Sequence, residues 1–183
     1  MTMAYRKLLP GEFPEYEAHL LRLDGADRTA RFHAGVHDGS IRAHVQRLIW
    51  PAGRVIGGFA DGVLRGAAEL QLLDATGARA ELAVSVERGH QGHGCGTELV
   101  RRTLTVARNR GIRQVIMLHL ADNHRMSAIA RRLRGTTLLG HSEVEIGFAP
   151  APPDPVSFLE ELSDEGIAVI TTGLDLWRRL LAA

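Results

Sequence analysis

The sequence predicts an α+β fold: a mixed, mostly antiparallel central sheet flanked by helices, with a small C-terminal α/β appendage. Three observations predict it. Runs of alternating apolar residues cluster around tight-turn signals between Gly53 and Val86, as an antiparallel meander requires. The pattern then changes to strand, helix, strand, helix and a final hairpin. With 183 residues and 45% hydrophobic content, the chain can build one sizeable core and is short for two.

Taken in order, "AYRKLLP" reads as a short strand ended by Pro10 and Gly11. From Phe13 to about Leu48, apolar residues such as Tyr16, Leu20, Ile41 and Val45 recur at helical spacing, and "HDGS" divides them into two or more helices. In "GRVIGGFADGVLRGAAELQLL" two strands flank Asp61-Gly62, a dipeptide suited to the positive φ angles of a hairpin turn. "DATGARA" then turns the chain into "ELAVSV", the third strand of the meander. After a glycine-rich stretch, Leu99, Val100, Leu104 and Ala107 mark one face of a helix that Gly111 terminates. "RQVIMLHL" is apolar on both faces, as an interior strand should be, and Asp122 or Asn123 caps a helix ending near Leu133. "TTLLGH" and "EVEIGF" are the last strands of residues 1–148. "APAPPDP" reads as a linker at 149–155. The extension, 156–183, carries helical "VSFLEEL" and "LDLWRRLLAA" around a strand-like "GIAVITTG", and is expected to pack on the domain or on a partner.

Composition narrows the classes. A formal charge of +1, from 22 basic and 21 acidic residues, gives no reason to expect nucleic acid or an acidic membrane as partner. Lys7 is the only lysine, so arginine supplies nearly all the positive charge. The single cysteine, Cys95, rules out an internal disulfide framework and fits a reducing cytoplasm. No signal-like segment or membrane-length apolar run is seen, so a cytoplasmic protein is expected.

The stretch "RGHQGHGCGTELV" places Gly92, Gly94 and Gly96 between a strand and a helix. Helix N-termini offer unpaired N–H groups and positive potential, and glycine lets an anionic ligand approach them. A mononucleotide P-loop would need a Lys followed by Ser or Thr, and this segment has no lysine. A dinucleotide fingerprint would need G-x-G-x-x-G and a later acid; Thr97 and "IRQVI" break that pattern. A third pattern, Q/R-x-x-G-x-G/A, is met by Gln91, Gly94 and Gly96.

That pattern resembles the acyl-CoA pyrophosphate loop of the GNAT superfamily of N-acetyltransferases. "VSVERGHQGHGCGTELV", the helix after it, "RQVIMLHL" and "ADNHRMSAIARRL" are similar to that superfamily's strand, loop, helix, strand and asparagine-led helix, in order. "AELAVSV", "DNHRM" and "DRTARF" look most like the acetyltransferase domain of Pat-type bacterial protein lysine acetyltransferases, over about residues 5 to 148. The resemblance implies an enzyme that transfers an acetyl group from acetyl-CoA to a primary amine, protein lysine or small molecule, by direct attack. It implies that Glu81, in the "AE" strand motif, is the catalytic base. The backbones of Val84 and Val86 would meet the pantetheine arm and the thioester. Gln91, Gly92, His93, Gly94, Cys95, Gly96 and Thr97 would cradle the pyrophosphate, and Asn123 would contact the CoA arm. Many members carry a tyrosine as acid for the leaving thiolate; its position here is Ala130, which leaves water or a residue such as Ser127. The usual Gly-Phe after that helix is replaced by "RGTT". The rival reading is a non-catalytic acyl-CoA sensor that associates through its tail.

His90, His93 and Cys95 lie close enough to suggest zinc, but no fourth ligand is evident and no metal is expected. His33 and His37 lack the glutamate of H-E-x-x-H and read as surface histidines. Cys95 reads as a buried, inert thiol. Exposed strand edges leave a homodimer open.

Overall fold

The computed structural model describes residues 3–48, 53–140 and 142–163. The strand and helix expected after residue 163, and any dimer built on them, lie outside these residues. Among the described residues, seven strands form one sheet in the order β1-β2-β3-β4-β5-β7-β6. β1 (Ala4–Lys7), β2 (Gly53–Ala60), β3 (Val63–Leu72) and β4 (Arg79–Val86) make an antiparallel meander. β5 (Gln114–Leu120) joins β4 in parallel, and β7 (Glu143–Phe148) returns between β5 and the edge strand β6 (Thr136–Gly140). The sheet is mixed and mostly antiparallel, as the sequence predicts.

The region from Phe13 to Gln46 holds three helices: α1 (Phe13–Arg22), α2 (Gly25–Phe32) and α3 (Asp38–Gln46). Asp24 starts α2 by accepting from the Asp27 N–H at 2.9 Å. The "HDGS" stretch is the opening of α3, with His37 as its cap, rather than a spacer. α4 (Cys95–Asn109) ends as expected: Gly111 has φ 69°, and the Ile112 N–H returns to the Ala107 carbonyl at 3.0 Å. α5 (His124–Arg132) follows β5.

Because side chains alternate along strands, the sheet buries two cores, one on each face. On one face Leu8, Val55, Phe59, Leu64 and Ala67 meet Tyr16 and Leu20 of α1 and Ile41 and Val45 of α3. On the other Ile56, Ala68, Leu70, Ala80 and Leu82 meet Leu99, Val100 and Val106 of α4 and Ala130 of α5. After "APAPPD" a helix occupies 155–163, capped by Asp154, whose carboxylate accepts from the Ser157 N–H at 2.8 Å. Asn109 of α4 and Lys7 of β1 both bond Glu161 of this helix, and Arg108 bonds Asp154. Among the described residues no helix is long and apolar enough to cross a membrane.

Candidate active site

The site arises where two strands part. β4 and β5 pair only at Arg79–Gln114, Ala80–Val115 and Glu81–Ile116. Beyond Glu81 the strands diverge, and a cleft of about 580 Å³ opens, a volume suited to a small-molecule ligand. The β3–β4 ladder decides which backbone groups look into it. The Arg79 carbonyl accepts from Leu73 at 3.0 Å, and the Glu87 N–H donates to Arg65 at 2.9 Å. The register between these bonds is unbroken, so odd-numbered residues of β4 bond to β3. Leu82, Val84 and Val86 therefore turn their N–H and C=O groups toward the parted β5. One of these carbonyls, that of Val86, already accepts from the Gln91 side chain at 2.8 Å.

The glycine loop closes one end of the cleft, and its glycines do different work. Gly92 and Gly94 have φ angles of 78° and 83°, and a Cβ at either would meet no atom within 4 Å. They are needed for backbone conformation and leave open approach above the loop. Gly94 is the N-cap of α4 with no side-chain cap, so the N–H groups of the first turn point outward unpaired. At Gly96 a Cβ would come within 3.1 Å of Ile129 Cδ1, so this glycine lets α5 pack closely on α4.

Of the residues singled out in the sequence, Glu81, Val84 and Val86 line the cleft, as do Gln91, Gly92, Gly94, Gly96, Thr97 and Asn123. His93 and Cys95 are not in the lining. His93 is exposed, and Cys95 is buried, its Sγ within 3.0 Å of where a Cβ on Gly66 would stand. Burial pushes the Cys95 thiol up to about 11, which fits an inert side chain. Gln91 is a strut: besides Val86 its amide donates to Asp27 of α2 at 3.1 Å, and its oxygen accepts from Arg125 of α5. Asn123 caps α5, accepting from the Met126 N–H at 3.2 Å, while also lining the cleft. Among the described residues no three His, Cys, Asp or Glu side chains converge as a metal site would.

Several cleft residues were not assigned roles from sequence. Arg31 and Phe32 of α2, His33 just beyond its end and His44 of α3 line the same cleft as Glu81. His33, read from the sequence as a surface histidine, is half-buried there. Behind them sits Glu69, one of whose oxygens accepts from Tyr16 Oη at 2.6 Å, Arg31 Nη2 at 2.7 Å and His44 Nε2 at 2.8 Å. Burial opposes the Glu69 charge, but His44, Arg31 and Tyr16 outweigh it and hold its pKa below the ordinary value. The Arg31 guanidinium also lies 4.8 Å from the Phe32 ring centre, and His44 packs edge-on against the same ring. The signal for Arg31 was present in "DRTARF", but nothing local says that an arginine there will be buried.

Beneath the cleft, His19 of α1 is fully buried between Ser85, 2.9 Å from its Nε2, and Glu87, 3.2 Å from its Nδ1. Burial lowers the His19 pKa, so the ring is neutral near pH 7, with Nδ1–H facing the carboxylate and Nε2 accepting from the Ser85 hydroxyl. Glu87 also binds Arg22 and Arg65 at 2.8 Å each. These partners overcome its burial and bring its pKa to about 2. The group clamps α1 to the end of β4 just before the loop.

Residues 9–135 match the model of the acetyltransferase (GNAT) family. The chain belongs to that family. It is accordingly an acyl-CoA-dependent N-acyltransferase, built on a GNAT fold. No curated protein matches it in sequence. Among solved structures, the GNAT domain of S. lividans PAT is similar with a TM-score of 0.68 at 18% identity, over 79% of this chain and 89% of that one. YncA of Salmonella typhimurium, a putative acetyltransferase solved with acetyl-CoA, gives a TM-score of 0.63 at 18% identity, over 85% and 99%. RimL, a ribosomal L7/L12 alpha-N-protein acetyltransferase solved with coenzyme A, gives 0.62 at 17%, over 81% and 94%. At these identities the likeness speaks for the fold.

Proposed function

We propose that the cleft transfers an acetyl group from acetyl-CoA to a primary amine by direct attack, with Glu81 as the base. The observation that carries this reading is the parting of β4 from β5. It turns a row of β4 backbone donors and acceptors toward one cavity, with a bare helix N-terminus at one end and a carboxylate at the neck. That row suits the amide-rich arm of a pantetheine, and the open N–H groups of the Gly92–Thr97 segment suit its pyrophosphate. YncA and RimL were solved with acetyl-CoA and coenzyme A, respectively, which supports the same donor here.

In the reaction, the amine nitrogen attacks the thioester carbonyl carbon, a C–N bond forms and the C–S bond breaks. Glu81 takes the proton that the nitrogen loses, an effect of about 10²–10⁴ in rate for such bases. The Val84 or Val86 N–H carries the charge that grows on the carbonyl oxygen. Ala130 is buried and supplies no acid, which leaves water or Ser127 to protonate the thiolate. The Ser127 hydroxyl donates to the Asn123 carbonyl and is not part of the cleft lining, which favours water. Asn123 would steady the arm at the start of α5, where its side-chain oxygen already serves as the cap.

The Pat-type motifs point toward protein lysine as one acceptor class. A small amine is the other acceptor class. Calorimetric titration with acetyl-CoA, followed by assay of thiol release with lysine peptides and free amines, tests the reading. Binding with turnover, both lost when Gly94→Trp fills the loop, is the expected result. Binding without turnover on any amine would favour a sensor, and no binding would end the proposal.

A further inference from the structure

Resting on the acyltransferase reading above, we infer that the acceptor carries a carboxylate beside its amine, as a free α-amino acid does, and that Arg31 binds it. Only 7% of the Arg31 side chain is exposed, yet the residue lines the same cleft as Glu81. Its Nη2 is held by Glu69 and Tyr16. Its Nε is buried and has no hydrogen-bond partner among the described residues. That nitrogen is closed to the cleft as well, so the donor open to a ligand is Nη1, which is not among the buried atoms and which no group among the described residues engages. A carboxylate suits it best, because a charge-assisted bond to a guanidinium N–H is stronger than one to a neutral acceptor.

The surroundings suit a zwitterion. Glu81 and Arg31 line the same cleft, so one small molecule can present an ammonium to Glu81 and a carboxylate to Arg31. Glu69, Tyr16 and the Phe32 ring fix the guanidinium before any ligand arrives, which limits the ordering cost of binding. A lysine side chain within a protein bears no carboxylate next to its amine, and a protein N-terminus offers an amide instead. The geometry therefore selects a free amino acid or a close analogue over both.

The test compares matched acceptors: the proteinogenic L-amino acids, the amines formed by removing their carboxyl groups, and their amides. With saturating acetyl-CoA, kcat/KM for at least one amino acid should exceed that of its matched amine and amide by about 100-fold or more. Arg31→Lys keeps the charge beside Glu69 but not the Nη1 donor, and should reduce that ratio to within a few-fold of one. Because Arg31→Lys could weaken folding, the Arg31→Gln/Glu69→Gln pair, which removes both charges together, should show the same collapse of the ratio. Calorimetric affinity for acetyl-CoA should be retained in both variants. If amines or amides match the amino acids, if only lysine peptides are acetylated, or if the ratio survives in both variants, the inference is overturned while the acyltransferase reading stands. Loss of acetyl-CoA binding in the unmodified protein would overturn both.

Discussion

Glu69 and Glu81 sit on neighbouring strands and the same face of one sheet, and they are opposites in how they are held. Glu69 is 3% exposed and fastened by a tyrosine, an arginine and a histidine. Glu81 is half-buried at the neck of the cleft, and no side-chain hydrogen bond holds it among the described residues. A carboxylate with three donors on one oxygen is a poor base, since protonating it would break the network around a buried guanidinium. One that faces a cavity unencumbered can accept a proton and release it. The pair teaches that, among acids close to a site, the better-connected one is the scaffold.

The largest expected difference between them is in stability. Glu69→Ala leaves the Arg31 charge buried and uncompensated, and should cost about 3–5 kcal/mol in chemical denaturation. A loss below about 1 kcal/mol would mean that the network is not the support described here.

Acid should act on a third carboxylate, Glu87, with a defined sign. Its folded pKa is lowered from 4.5 to about 2, so its stabilisation is complete above pH 4.5 and disappears as pH falls toward 2. His19, whose folded pKa is also lowered, adds in the same direction, because its protonation on unfolding begins near pH 6.5. Unfolding midpoints should thus fall steadily from pH 6.5 to 2, and Glu87→Gln should flatten the lower half of that curve. A midpoint that rises with acid would contradict the assignment.

Gly94→Ala is expected to cost roughly 1–2 kcal/mol, from backbone strain alone, since φ is 83° and a Cβ there meets nothing. A thermal melt reads this directly. The smallest effect belongs to Glu81→Gln, which should leave stability within about 0.5 kcal/mol of the parent, as a side chain without structural partners should.

Much of this arrangement is legible in the sequence, because it rests on local signals. Asp61-Gly62, Gly111 and Asn123 each act through their own backbone, and they turn, stop or cap as their residue types predict. The glycine loop is legible for the same reason, although Gly96 proves to serve packing against Ile129 as well. Arg31, His44 and Tyr16 are not, since their roles exist only once α1, α2 and α3 pack over β3. Nor is the division of labour within Gln91, whose three partners come from β4, α2 and α5. The pocket wall is tertiary, and sequence spacing carries little of it.

The central claim is that Glu81 is the base in a cleft that binds acetyl-CoA without it. The most direct test measures acetyl-CoA affinity and amine-dependent turnover on the same preparation of Glu81→Gln. The account predicts affinity within about twofold of the parent and turnover reduced about 10²–10⁴-fold. Unchanged turnover would show that the proton leaves by another route and would contradict it.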